Sequence, residues 1–148
     1  IDACMLEGNS DYLELYKRAE SLNVYRKNEK FGQLLLGFKR MNNILSAFRK
    51  ENKDYKLSFS ESLLEEKEER DLYFFFAERR KQMEDFISHS KYIELFELMT
   101  EAKPLIDSFF DKVLVMDKRI EIRDNRLFIL ESVLNIFTNL IDFSKISE

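Results

Sequence analysis

The chain has 148 residues, 45% of them hydrophobic and 35% charged, with a formal net charge of −4. That length is one domain's worth and enough to close a core, while the negative balance taken alone argues against a nucleic-acid binder. Three glycines and one proline are too few for a sandwich of short strands and turns, and fit long helices with short connections. The lone Cys4 excludes an intrachain disulfide and suits a reducing compartment. No apolar run is long enough to span a bilayer, and no signal-peptide pattern is present. Because the chain opens on Ile1 and not on methionine, it is expected to be a piece of a longer protein.

Charge is unevenly distributed. Residues 11–50 hold nine Lys/Arg against four Asp/Glu, residues 61–90 hold five against nine, and residues 112–126 hold five against three. If folding brings the two basic regions together, they form one face.

In chain order, residues 1–8 read as the end of an upstream helix or a linker, stopped at Gly8 and Asn9, and residues 9–148 as one helical domain. Ser10 or Asp11 would cap a helix running to about Lys27. A second helix is predicted from about Glu29 to Lys50, where Phe31, Leu34, Leu35, Phe38, Met41, Leu45 and Phe48 form a helical stripe. Lys39, Arg40 and Asn43 sit within one turn of each other, off that stripe. The polar stretch 51–60 has no period and reads as a link between helical arms. Ser58 or Ser62, each with a glutamate three residues on, offers a capping box for the next helix. The charge run Glu65 to Asp71 then reads as its solvated first turn, acidic as suits a helix start.

That helix is expected to reach about Ile87, with Leu72, Phe76, Met83 and Ile87 inward and Tyr73, Phe74 and Phe75 widening the apolar surface. His89 lacks partners at ligand spacing and reads as a surface residue at the helix end. Ser90 would cap a further helix with Tyr92, Leu95, Phe96, Leu98 and Met99 on its core side. Pro104 restarts the chain as a short helix over 103–112, since proline is tolerated in a first turn. The run from Val113 to Met116 is expected to be extended or a helix end. The last helix, from about Arg119 to Asp142, is apolar on most of its circumference through Ile120, Ile122, Leu127, Ile129, Leu130, Val133, Leu134, Ile136, Phe137, Leu140 and Ile141. A helix of that kind has neighbours on most sides and is expected to be central. Its head, with Arg119, Arg123, Asn125 and Arg126, is polar, and the aromatic pair Phe109 and Phe110 lies just upstream.

The chemistry of catalysis is missing from the sequence: there is one Cys, one His, no nucleophile–base pair and no glycine-rich phosphate loop. The residues alone describe an all-α bundle with a mixed basic and aromatic surface. Two readings compete. One is RNA binding through the basic regions. The other is a helical protein–protein docking domain without RNA contact, with Tyr73, Phe74 and Phe75 as its interface.

Several phrases sharpen this. FFDKVLVM over 109–116, IRDNRL over 122–127, KRMNNIL over 39–45 and L-x-D-F-S over 140–144 resemble the C-terminal end of the β subunit of bacterial tetrameric glycyl-tRNA synthetase. The fold this resemblance implies is an all-helical bundle of the anticodon-binding type named after its D-A-L-R sequence. That element reads Ile120-Glu121-Ile122-Arg123 here, with no acid at Ile120. The resemblance further implies recognition of the glycine tRNA anticodon by this part. The parent enzyme joins glycine to its tRNA with ATP and Mg, in the cytoplasm, as an α2β2 tetramer whose α subunit carries most of the catalysis. No cofactor is expected in this piece and no activity from it alone. Lys39, Arg40, Asn43, Asp111, Arg123, Asn125 and Arg126 match the family pattern. Lys112 and Arg119 join them as neighbours in the charged head. Arg123, Asn125 and Arg126 have a competing role, which is to pin the last helix to its neighbours. Every glycine anticodon ends in two cytosines. A site for them should mix carboxylates, which accept from the cytosine amino group, with Arg or Lys beside a stacking surface.

Overall fold

The structure is a computed structural model and describes residues 29–138 and Leu140. The expected boundary at residue 8, the helix expected over 10–27 and the closing motif beyond Leu140 lie outside the described residues. Among the described residues five α-helices follow one another: α1 Glu29–Glu51, α2 Lys67–Ser88, α3 Tyr92–Thr100, α4 Lys103–Lys112 and α5 Ile120–Phe137, with a 3-10 turn Glu61–Leu63 before α2. The described residues contain no strand, so the all-α expectation holds, and four of the predicted helices begin or end within about two residues of their predicted limits.

The stripe on α1 does what its spacing demands. Phe31, Leu34, Leu35, Phe38, Met41 and Phe48 are buried, and Leu45 is half-buried against the same core. Helix α1 packs on α3, α4 and α5, and α2 packs on the same three. The core therefore lies between the α1–α2 pair and its two coverings, α5 on one side and the α3–α4 pair on the other. Phe38 of α1, Phe76 of α2 and Phe137 of α5 meet edge to face, with ring centroids 5.5 to 6.3 Å apart. Gly37 lets α1 approach α4 closely: a Cβ there would lie 3.0 Å from Cγ2 of Ile106.

Helix α5 is the most completely enclosed, with eleven of its residues buried. Its neighbours are α1, α2 and the 3-10 turn, while α3 and α4 pack on the α1–α2 pair. Ile120, expected inward, is 57% exposed, because the first turn of α5 projects past the core.

The helix ends correct two expectations. Neither Ser58 nor Ser62 caps α2. Glu66 holds that position, and its backbone N–H donates to Oε2 of Glu69 at 2.8 Å. Nor does Ser90 cap α3. It has a left-handed backbone (φ 57°) and closes α2, with the N–H of Ser90 donating to the carbonyl of Ile87 and that of Lys91 to the carbonyl of Phe86, at 3.2 and 2.8 Å. This is a helix stop of the kind usually made by glycine. Pro104 lies in the first turn of α4, as its chemistry allows.

Candidate nucleic-acid interface

Four consecutive residues at the head of α5, Arg123 to Arg126, tie it to the 52–60 link, to α2 and to the 113–119 segment. Arg126 is 3% exposed. Its Nε and Nη2 donate to the two carboxylate oxygens of Glu69 at 3.1 and 3.2 Å, and its Nη1 donates to the Leu114 carbonyl at 2.8 Å and to Oδ2 of Asp117 at 3.3 Å. Glu69 is fully buried. Within the charge run at the start of α2, Glu65, Glu66, Lys67 and Arg70 are exposed, as its composition implies, and the exception is Glu69. It supplies the counter-charge for a buried arginine, and a two-pronged guanidinium–carboxylate pair is the geometry in which such burial is tolerable.

Arg119 extends this network outward. Its Nη1 and Nη2 donate to the oxygens of Glu65 at 2.6 and 2.9 Å, and its Nε and Nη2 to those of Asp117 at 3.0 and 3.1 Å. The Arg119 side chain, followed by the Arg119 backbone N–H at 2.8 Å, holds the Asp117 carboxyl down at about 2. The bond from Arg119 also lowers Glu65, while the two carboxylates push the guanidinium above its ordinary range. Two arginines thus face three carboxylates, so the positive charge of this stretch is largely answered within the fold.

Asn125 is fully buried and pairs reciprocally with the backbone of Ser60. The Ser60 N–H donates to Oδ1 at 2.8 Å, and Nδ2 donates to the Ser60 carbonyl at 3.1 Å. This pairing docks the end of the 52–60 link on α5. Asp124, 2% exposed, accepts from Nε and Nη2 of Arg123 at 3.1 and 2.8 Å on one oxygen, and from the Tyr55 hydroxyl at 2.5 Å on the other. The bond to Asp124 raises both Tyr55 and Arg123 above their ordinary values, so the phenol stays protonated and the guanidinium charged. The Arg123 guanidinium lies 5.1 Å over the Phe48 ring and 5.7 Å over the Tyr55 ring. Arg49, at the end of α1, donates to the Tyr55 carbonyl and, at 2.9 Å, to Oε2 of Glu131.

The remaining sequence-selected residues lie along α1 and at the end of α4. Arg40 and Asn43 are exposed and Lys39 is half-buried, while Asp111 and Lys112 are exposed. The Arg40 guanidinium sits 4.3 Å over the Phe110 ring. The two basic regions meet where Arg123 lies against Phe48, while Arg40 lies against Phe110, just upstream of the second region. Reading the sequence missed Phe48 and Tyr55 as partners of Arg123, and missed the pair of Arg49 with Glu131. Of these, Tyr55 left a signal, as one of two aromatics, with Phe59, in a mostly polar link.

The aromatic triplet offered as a docking surface does not form one patch. Phe75 is buried, Tyr73 lies against the Phe59 ring at 4.7 Å, and Phe74 is 36% exposed. A cleft of about 250 Å³ between α2 and α5 is lined by Tyr73, Phe76, Arg80, Phe128, Val133 and Ile136, among others. Among the described residues, no cluster of His, Cys, Asp or Glu is placed to hold a metal ion, and no helix is long and apolar enough to cross a membrane.

Together these features define an all-helical domain whose polar chemistry gathers where the head of its most buried helix meets the connections around it. The family model described as the DALR anticodon binding domain matches residues 34–147, and the chain belongs to that family. It is also similar to three proteins named glycine–tRNA ligase beta subunit. The one from Moorella thermoacetica is 33% identical over 146 residues, covering 99% of this chain and 20% of that protein. The one from Persephonella marina is 30% identical, covering 89% and 18%. The one from Syntrophus aciditrophicus is 32% identical, covering 99% and 20%. The chain thus spans about a fifth of the length of the curated relatives it matches.

Proposed function

We propose that the chain is the anticodon-binding part of the β subunit of a bacterial glycyl-tRNA synthetase. It recognises glycine tRNA by its anticodon, while the parent enzyme joins glycine to that tRNA with ATP in the cytoplasm, together with an α subunit in an α2β2 tetramer. The observation that carries this reading is the nearly end-to-end likeness to glycine–tRNA ligase beta subunits, combined with membership of a family described by anticodon binding. ATP and Mg are assigned to other parts of the parent enzyme, since the residues here offer no phosphate-binding loop.

RNA contact is assigned to Lys39, Arg40, Asn43, Asp111, Lys112, Arg119 and Arg123. Asn125 and Arg126, whose polar atoms are taken up inside the protein, have a supporting part: they hold the 52–60 link and the 113–119 segment in place. The test is binding of the 148-residue chain to glycine tRNA and to the same tRNA with its two anticodon cytosines replaced. Preference for the natural anticodon, with affinity falling as salt rises, supports the reading. Equal binding of both tRNAs, or none, contradicts it.

A further inference from the structure

The 52–60 link carries none of the phrases that mark the family, yet it presents an aromatic ring held in one place. Tyr55 is 38% exposed. Its hydroxyl is tied to Asp124 at 2.5 Å, its carbonyl accepts from Arg49, and its ring meets Phe48 edge-on with centroids 5.7 Å apart. Three anchors on two helices, α1 and α5, hold the residue while leaving part of the ring open to solvent. That is how a stacking platform is prepared: ordering is complete before the ligand arrives, so binding does not have to supply it.

The groups beside the platform match one base. Arg123 uses Nε and Nη2 on Asp124, and Nη1 is the guanidinium nitrogen outside that pair. Glu131 uses Oε2 on Arg49, and Oε1 lies outside that pair, on a side chain 28% exposed. Arg123 and Glu131 are eight residues apart on one helix, so their backbones are about 12 Å apart along α5. That spacing leaves room for one base ring with a hydrogen bond at each edge. A donor at one end and a carboxylate at the other suit cytosine, which offers ring acceptors and an amino donor. Uracil would set its own carbonyl against the carboxylate.

We propose that Tyr55, Arg123 and Glu131 form a subsite for one unstacked cytosine of single-stranded RNA. Tyr55 is the platform, Arg123 the donor and Glu131 the acceptor for the amino group. Asp124 is a positioning residue, because both of its oxygens are taken up in holding the other two side chains. This rests on the anticodon reading above and names the residues that would carry its specificity.

The experiment measures affinity of the 148-residue chain for a glycine tRNA anticodon stem–loop and for loops with each anticodon cytosine changed singly to uridine. The unaltered chain is expected to prefer cytosine at one of the two positions by about fivefold to a hundredfold. Glu131→Gln, whose amide can face either base, should bring that ratio close to one without loss of affinity for the uridine loop. Tyr55→Ala should weaken both loops, and Tyr55→Phe, which keeps the ring, should weaken them less. A chain that binds no loop, or binds all alike, overturns the anticodon reading and this subsite with it. A chain that discriminates, but whose Glu131→Gln and Tyr55→Ala variants keep its ratio and affinity, overturns the subsite alone.

Discussion

Arg123 and Arg126 leave the same helix three residues apart and end in opposite surroundings. Arg126 turns inward, is 3% exposed and ties α2 and the 113–119 segment to α5. Arg123 turns to the rim, where one face of its guanidinium lies over aromatic rings and a buried carboxylate holds its angle. Spacing puts both on one side of a helix, but only the neighbours decide which of them meets solvent. Arginine is suited to either task. Its planar fork satisfies a buried carboxylate, and the same fork over a ring is ready for a base or a phosphate.

The sharpest way to break this contrast is to truncate the inward member. Arg126→Ala leaves the Glu69 carboxylate buried without its cation and should cost about 3–5 kcal/mol in chemical denaturation. Removing both partners by Arg126→Met with Glu69→Leu should cost much less, since no buried charge then lacks a partner. Equal losses for the single and double variants would show that packing, and not the charge pair, is what matters there. Next in size is Asn125→Ala, which strips both bonds from Ser60. It should cost about 1–3 kcal/mol and make the 52–60 link more susceptible to proteolysis.

A pH titration sharpens the comparison from the outer side of the network. Asp117 is held at about 2 against an ordinary 3.8, so its carboxylate contributes stability above pH 4. That contribution is lost as pH falls from 4 towards 2, because the folded form then binds its proton later than the unfolded form. The melting temperature should fall over this window, and Asp117→Asn should remove part of that fall. The smallest effect on stability is expected at Arg40, exposed over Phe110. Arg40→Ala should cost about 0.5–1 kcal/mol, while lowering tRNA affinity most at low salt and reducing the salt dependence.

Much of the fold was legible because helical periodicity is a local property. The stripe from Phe31 to Phe48 and the apolar shaft from Ile122 to Phe137 needed no knowledge of the neighbours. The polar chemistry was less legible because its partners are distant in sequence. Glu69 and Arg126 are 57 positions apart, and Tyr55 and Asp124 are 69 apart. A run of charges looks solvated until the fold brings a buried arginine to one of them. The motif phrases led to the head of α5, yet gave Asn125 and Arg126 the same weight as Arg123, since a motif records which residues recur and not which way they face.

The account stands most directly on one paired measurement: affinity for the glycine tRNA anticodon stem–loop of Arg123→Gln and Arg126→Gln, taken below both melting points and corrected for the folded fraction. The account predicts that Arg123→Gln loses affinity and discrimination with a modest loss of stability. Arg126→Gln should lose more stability and, in the molecules that remain folded, keep its preference for the natural anticodon. Retained affinity in Arg123→Gln with lost discrimination in folded Arg126→Gln would contradict it.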